Sequence, residues 1–442
     1  MKHTFDLILR NGTCVSHRGI APADIAVRKG RIEEFGSLSH DKARREIDAT
    51  GLHIFPGIID TQVHFREPGM EGKEDLESGT RAAVLGGVTA VFEMPNTAPP
   101  TTTPAALADK ITRASGRAWC DFAFYFGATP ENAEHLGEWE RLPGCCGVKV
   151  FMGSSTGNLL VADDAALTRV LENGSRRVAV HCEDESRLQE RKPLARTVAD
   201  HPVWRDEETA LLATQRLIHL ARDAGRRVHV LHVTTAEEIE FLAAHKRIAS
   251  VEVTPQHLTL AAPDCYESLG TRSQMNPPIR DESHRAALWR GVTAGIVDIV
   301  GSDHAPHTPG EKDKDYPASP SGMPGVQTIL ALMLDHAAAG RLTLLQVHDL
   351  LCAGPARLFG ISGKGRLAAG FDADLTVVDL ARRFEVTDAA QASKAGWTPF
   401  AGRTLTGAAV MTIIRGNIVM RDGELGSKPL GRPMHFWEGQ PV

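Results

Sequence analysis

The chain has 442 residues, 42% hydrophobic and 24% charged, enough to bury a large core without staples and suited to one large barrel with a smaller appendage. The formal charge of −6 argues against a nucleic-acid surface, and no apolar run of about 18 residues suggests a membrane span. Seven cysteines, an odd set without a C-x-x-C pair, read as reduced thiols of a cytoplasmic protein.

In chain order, residues 5–50 alternate apolar and polar residues between Gly, Asp and Asn, in FDLILRNGT, ADIAVRKGRIEEFG and REIDATG. This predicts short strands and hairpins. It also gives the N-terminus a strand-like rather than a signal-peptide layout. The middle of the chain alternates short apolar runs with helix-like stretches. The runs are 54–65, 88–94, 121–127, 147–152, 177–183, 227–233, 250–255 and 297–303. Near-continuous β-branched runs followed by helices predict parallel strands buried on both faces. Eight such strands close a (β/α)₈ barrel. The stretch 304–325 is polar and rich in Pro and Gly, which predicts a binding loop or lid. Residues 365–422 return to the strand-and-hairpin style. Neither end can bury a sheet face alone, so the two predict one small β-sandwich built from both termini. The expected division is residues 1–54 and 365–442 for the sandwich and tail, and 55–364 for the barrel.

His64, Lys149, His181, His232 and Asp303 fall at or near the C-terminal ends of different barrel strands, where barrel enzymes place their sites. Imidazole and carboxylate donors together suit zinc or a similar divalent ion. Each residue also has a plainer reading. A lone histidine at a strand end is more often a satisfied polar residue than a ligand, and Asp303 alone would serve as a cap. Lys149 is harder to explain, because an ammonium inside an apolar strand must pair, snorkel or lose its charge.

The runs PGIIDTQVHFREPG (56–69), EMPNT (93–97), KVFMGSSTG (149–157), VHCED (180–184), LHVTT (231–235), TPQHL (254–258), MNPPIR (275–280) and GSDHAPH (301–307) resemble, in order, the motifs of dihydroorotases, hydantoinases and allantoinases. The resemblance is to the cyclic-amidase group of the amidohydrolase superfamily, nearest the dihydroorotases. It implies His64, His181, His232 and Asp303 as ligands of one or two zinc ions per subunit, and Lys149 as a carbamylated lysine whose new carboxylate bridges two metals. It implies that Asp303 is also the general base and acid, taking a proton from the attacking water and returning it to the leaving nitrogen. For the substrate it implies Arg66, Asn96, Asn276 and His307 around dihydroorotate, with Gly322, Pro324 and Gly325 closing over the ring. A planar guanidinium holds a carboxylate by two parallel hydrogen bonds, and dihydroorotate carries such a group where allantoin and hydantoin do not. His257 receives no role.

The pattern breaks once. Gln62 stands where most members of the group carry a second imidazole, and a neutral amide is a weak zinc ligand. The expectation is a dihydroorotase of pyrimidine biosynthesis, interconverting dihydroorotate and N-carbamoyl-aspartate, cytoplasmic and homo-oligomeric. The alternatives are another cyclic amidase, or a catalytically inactive assembly subunit.

Overall fold

The computed structural model describes residues 5–155 and 159–437. Thr156 and Gly157, the end of the KVFMGSSTG run, lie outside them. The N-terminal segment forms β1 (Phe5–Ser16), β2 (Gly19–Arg28), β3 (Arg31–Gly36), β4 (Ala43–Asp48) and β5 (His53–Pro56). Each of the eight apolar runs then contributes one barrel strand. These are β6 (Ile58–Val63), β7 (Val88–Glu93), β8 (Asp121–Gly127), β9 (Cys145–Phe151), β10 (Val178–His181), β11 (Val228–Val230), β12 (Ala249–Val253) and β13 (Ile299–Val300). All neighbours in this sheet are parallel. The ring closes just beyond β13, where Val63 bridges His304 and the His64 N–H donates to the His304 carbonyl at 2.7 Å.

The C-terminal segment adds β14 (Leu375–Glu385), β15 (Thr404–Ile414), β16 (Asn417–Arg421) and β17 (Glu424–Leu425). Both ends share one nine-stranded mixed sheet, joined where β5 runs antiparallel to β14 with Ile54 opposite Val377. Its apolar side, with Leu7, Ile25, Ile54, Leu375 and Ile413, forms a core separate from the barrel's.

The run 54–65, expected as one strand, divides at Gly57. Its first part belongs to the terminal sheet and its second to the barrel. A Cβ on Gly57 would stand 2.1 Å from Thr89 Oγ1, so only glycine lets the chain pass between the sheets here.

Period-two alternation assigns the inside of the barrel. On β8, Phe122, Phe124 and Phe126 pack outward with the helix layer, while Ala123 and Tyr125 join the interior cluster. On β9, Val148 and Val150 pack outward, which turns Lys149 inward. The helices are set by ordinary caps. Helix Glu207–Asp223 starts at Asp206, whose side chain accepts from the Thr209 N–H, and Glu207 and Glu208 in its first turn complement the dipole. Its Ala213, Leu217 and Ile218 pack into the same outer cluster as the strands. All seven cysteines are buried free thiols, and among the described residues no helix is long and apolar enough to cross a membrane.

Candidate active site

A small cavity opens at the C-terminal ends of the barrel strands. Gln62, His64, Lys149, His181, His232 and Asp303 all line it, and so do Arg66, Asn96, Asn276 and Gly322. His307, Pro324 and Gly325 are not among the residues that line it. The Gly325 N–H donates to His304 Nδ1 at 3.1 Å, which holds the loop from below.

The backbone is bent where these residues sit. Arg66, His232 and Asp303 have φ of 66°, 37° and 44°, in the left-handed region that side chains avoid. Their neighbours say why. Val228 and Val230 face outward on β11, and Leu231 and Val233 fall on opposite sides of the wall. Strict alternation would turn His232 outward, and the positive φ brings it onto the cavity instead. Strain of this kind is held by surrounding structure and clusters at functional sites.

Two polar groupings face each other across the cavity. In one, His181 Nε2 lies 2.8 Å from Glu183 Oε2 and its Nδ1 lies 3.1 Å from His232 Nε2. Glu183 also pairs with Arg205. Burial opposes the charge on Glu183, but Arg205 and His181 outweigh it and hold the carboxyl down to about 2. A carboxylate accepts only, so His181 carries its proton on Nε2 and presents a lone pair from Nδ1. His232 Nδ1 has no partner among the described residues. In the other grouping, His64 Nδ1 lies 2.7 Å from Asn96 Oδ1, and its Nε2 faces Asp303 Oδ1 at 3.3 Å. Gln62 Nε2 donates to the same Asp303 oxygen at 3.1 Å, leaving Gln62 Oε1 buried without a partner among the described residues. Burial depresses the pKa of all three histidines, so each is neutral and keeps a lone pair.

Lys149 is 1% exposed. Its Nζ stands 4.4 Å over the Phe151 ring. Burial brings its pKa down to about 7, against the pull of Asp303 and Glu252. No three His, Cys, Asp or Glu side chains among the described residues converge on one point.

Arg66 is also 1% exposed, and burial lowers its pKa to about 10. Its Nε donates to the Pro306 carbonyl at 3.2 Å, and its Nη1 is buried with no partner among the described residues. A buried cation with an unspent donor beside a cavity is costly unless a ligand completes it.

Sequence reading gave no role to Glu183, to Arg205, which reaches it from 22 positions away, to His304, or to Ser155, which also lines the cavity. Glu183 alone carried a signal, a carboxylate two residues beyond a ligand-type histidine. His257 is a satisfied core histidine, with Nδ1 on Thr254 Oγ1 at 2.8 Å and Nε2 on the Pro277 carbonyl at 3.1 Å.

The amidohydrolase family profile matches residues 53–419. The chain is 37% identical over 422 residues to a dihydroorotase of Halobacterium salinarum, covering 92% of this chain and 96% of that one. It is 33% identical over 444 residues to an allantoinase of Deinococcus radiodurans, covering 97% and 98%. Among solved structures, the L-hydantoinase (dihydropyrimidinase) of Arthrobacter aurescens superposes with a TM-score of 0.93 at 31% identity, covering 98% and 100%.

Proposed function

The chain belongs to the amidohydrolase family, and from that premise we propose that it is a dihydroorotase, opening the ring amide of dihydroorotate to N-carbamoyl-aspartate and closing it in the biosynthetic direction. Relatives named for dihydroorotate, allantoin and hydantoin are similarly close, so the substrate is argued from the site. The observation that carries it is the buried Arg66 with its unspent Nη1. Dihydroorotate has a carboxylate to meet it, and allantoin and hydantoin have none.

The donors fit a divalent cation such as zinc. His181 Nδ1 and His232 Nε2 lie 3.1 Å apart, and with the His232 proton on Nδ1 both would present lone pairs to a cation between them. Lys149, with a pKa near 7, has a large uncharged fraction at neutral pH, and the amine form is the one that takes up carbon dioxide as a carbamate. The carbamate would replace a buried positive charge by two oxygen donors and complete a set with His181 and His232. His64 and Asp303 would hold a second ion with the same carbamate, more weakly because Gln62 offers only an amide. The bound ion supplies Lewis acidity, lowering the pKa of water toward ~7 and polarising the amide carbonyl.

The chain's own residues do the rest. Asp303 takes the proton of the attacking water and returns it to the ring nitrogen as the C–N bond breaks, a role typically contributing about 10²–10⁴-fold. His64 and the Gln62 N–H fix the orientation of its carboxylate. Arg66 holds the substrate carboxylate, with Asn96 and Asn276 at the cavity wall. The Gly322–Gly325 loop closes over the ring.

Metal analysis of the purified protein beside a dihydroorotate hydrolysis assay tests this reading. Zinc or a similar ion with turnover is expected. Inactivity at every metal loading, in the wild type and in Gln62→His alike, would favour an inactive assembly subunit.

A further inference from the structure

We infer that Lys73 is a positioning residue that selects the tautomer of His307 and so keeps Arg66 free for an anionic group of the substrate; the inference rests on reading Arg66 as the carboxylate-binding residue.

Lys73 lies in the loop between β6 and the helix Leu76–Leu85 and reaches across to the 304–325 segment. Its Nζ is 2.8 Å from Glu311 Oε1 and 3.2 Å from His307 Nδ1. Glu311 is itself fixed, its Oε2 accepting from the Thr308 N–H at 3.0 Å and the Thr308 hydroxyl at 3.1 Å. An ammonium paired with a carboxylate has donors only. His307 Nδ1 must therefore accept, which puts the ring proton on Nε2. That N–H finds the Ser321 carbonyl at 3.0 Å. Burial, with Arg66, Lys73 and Lys312 close by, holds the ring neutral, so it has one proton to place, and Lys73 at Nδ1 and the Ser321 carbonyl at Nε2 together hold it on Nε2.

The consequence falls on Arg66. Its Nη2 is 3.3 Å from His307 Nε2. With the proton on Nε2 this is donor against donor, and no hydrogen bond forms. The guanidinium then keeps both Nη groups for an incoming anion, the two-point arrangement a carboxylate fits. Without Lys73 the unpaired Glu311 carboxylate, 3.9 Å from Nδ1, draws the proton to that nitrogen in competition with the Ser321 carbonyl. Nε2 becomes an acceptor, captures Arg66 Nη2 and turns the guanidinium into an internally satisfied group. One lysine outside the cavity lining thus sets whether the site reads a charge.

The test uses the full-length, metal-loaded protein with ¹⁵N-labelled histidine, as wild type, Lys73→Met and Lys73→Arg. His307 is assigned by comparison with His307→Gln, and its two ring nitrogens report the tautomer. Wild type should carry the proton on Nε2. Lys73→Met should move it to Nδ1 and raise KM for dihydroorotate about ten- to hundredfold, as for loss of a hydrogen bond to a charged group. Its kcat should stay within about threefold, because ground-state reading of the carboxylate is what is lost. Lys73→Arg, which restores a donor, should recover both the tautomer and KM. An unchanged tautomer in Lys73→Met overturns the inference, and so does an unchanged KM despite a switched tautomer. A fall in kcat and thermal midpoint without a tautomer change also overturns it and makes Lys73 a structural tether. If wild type fails to turn over dihydroorotate, the functional reading fails, while the tautomer measurement still decides the role of Lys73.

Discussion

The barrel buries charge at both ends, and the two ends are built differently. At the N-terminal end Lys364 Nζ donates to Asp121 Oδ2 at 2.7 Å and also pairs with Asp374. Arg415 Nη1 donates to both oxygens of Asp121 at 2.7 and 2.6 Å. Backbone N–H groups of Arg415 and Arg432 complete Asp374 and Asp121 at 2.7 and 2.9 Å. None of these side chains leaves a buried polar atom without a partner among the described residues. At the C-terminal end Arg66, Gln62 and His232 each leave one. Left-handed backbone occurs at both ends, at Arg66, His232 and Asp303 here and at Arg415 in the closed network, whereas burial lowers the Lys149 pKa to about 7. A closed network fastens the terminal sheet to the barrel floor. An open one is poised for something outside the protein. Burial of charge is common to the two ends, and these two clusters differ in how completely their polar atoms are partnered.

The sharpest break in this comparison is at the two lysines. Lys149→Ala should lose bound metal and fall to background activity while remaining folded, with partial rescue by short carboxylic acids that supply the missing oxygens. Lys149→Met in metal-free protein should hold or raise the denaturation midpoint, since it removes an uncompensated charge. Full activity with an unmodified lysine, read by intact mass, would remove Lys149 from the account.

Lys364→Met should do the reverse. It leaves Asp121 and Asp374 facing each other in the dry interior, at a cost of about 3–5 kcal/mol in urea denaturation, with KM unaltered. Burial opposes the charge on Lys364, but Asp374, Asp121 and Asp372 outweigh it and push its pKa above the usual value. In wild type its stabilisation is therefore fully present below the unfolded value of about 10.4 and drains away as pH rises through the folded value. The variant should recover stability on acidification as the carboxylates protonate. A loss under about 1 kcal/mol would mark the cluster as worth no more than a surface pair.

Arg66→Ala comes next, at about 2–5 kcal/mol in binding dihydroorotate. Metal content should be unchanged. A near-normal KM would mean that the carboxylate is read elsewhere.

The smallest effect is expected at Gln62. Gln62→His should raise metal occupancy at the His64/Asp303 position, and activity only if that position limits turnover. Two equally tight ions in wild type, surviving dialysis against chelator, would contradict the weak second position.

Much of this was legible in the sequence because it follows from periodicity. The eight runs are apolar on both faces, and Lys149 stands out against such a run. The motif histidines fall where strands end, and the resemblance attached roles to them. What escaped depends on contacts that no local pattern encodes. The break at Gly57 is imposed by Thr89, thirty-two residues on. Arg205 reaches Glu183 from 22 positions away, and Lys73 reaches His307 from 234. One feature was readable and passed over. Thr308-Pro-Gly-Glu311 is a capping-box signature, and it starts the short helix Pro309–Lys312 inside the stretch expected to be irregular.

The account turns on whether the open end of the barrel was left open for a carboxylate. The direct measurement is kcat/KM of the metal-loaded protein on dihydroorotate, allantoin and hydantoin, with Arg66→Ala in parallel. Wild type should favour dihydroorotate, and Arg66→Ala should lose that preference while keeping its activity toward whichever uncharged ring it accepts. A wild type that prefers allantoin or hydantoin, or an Arg66→Ala that loses all three equally, would contradict it.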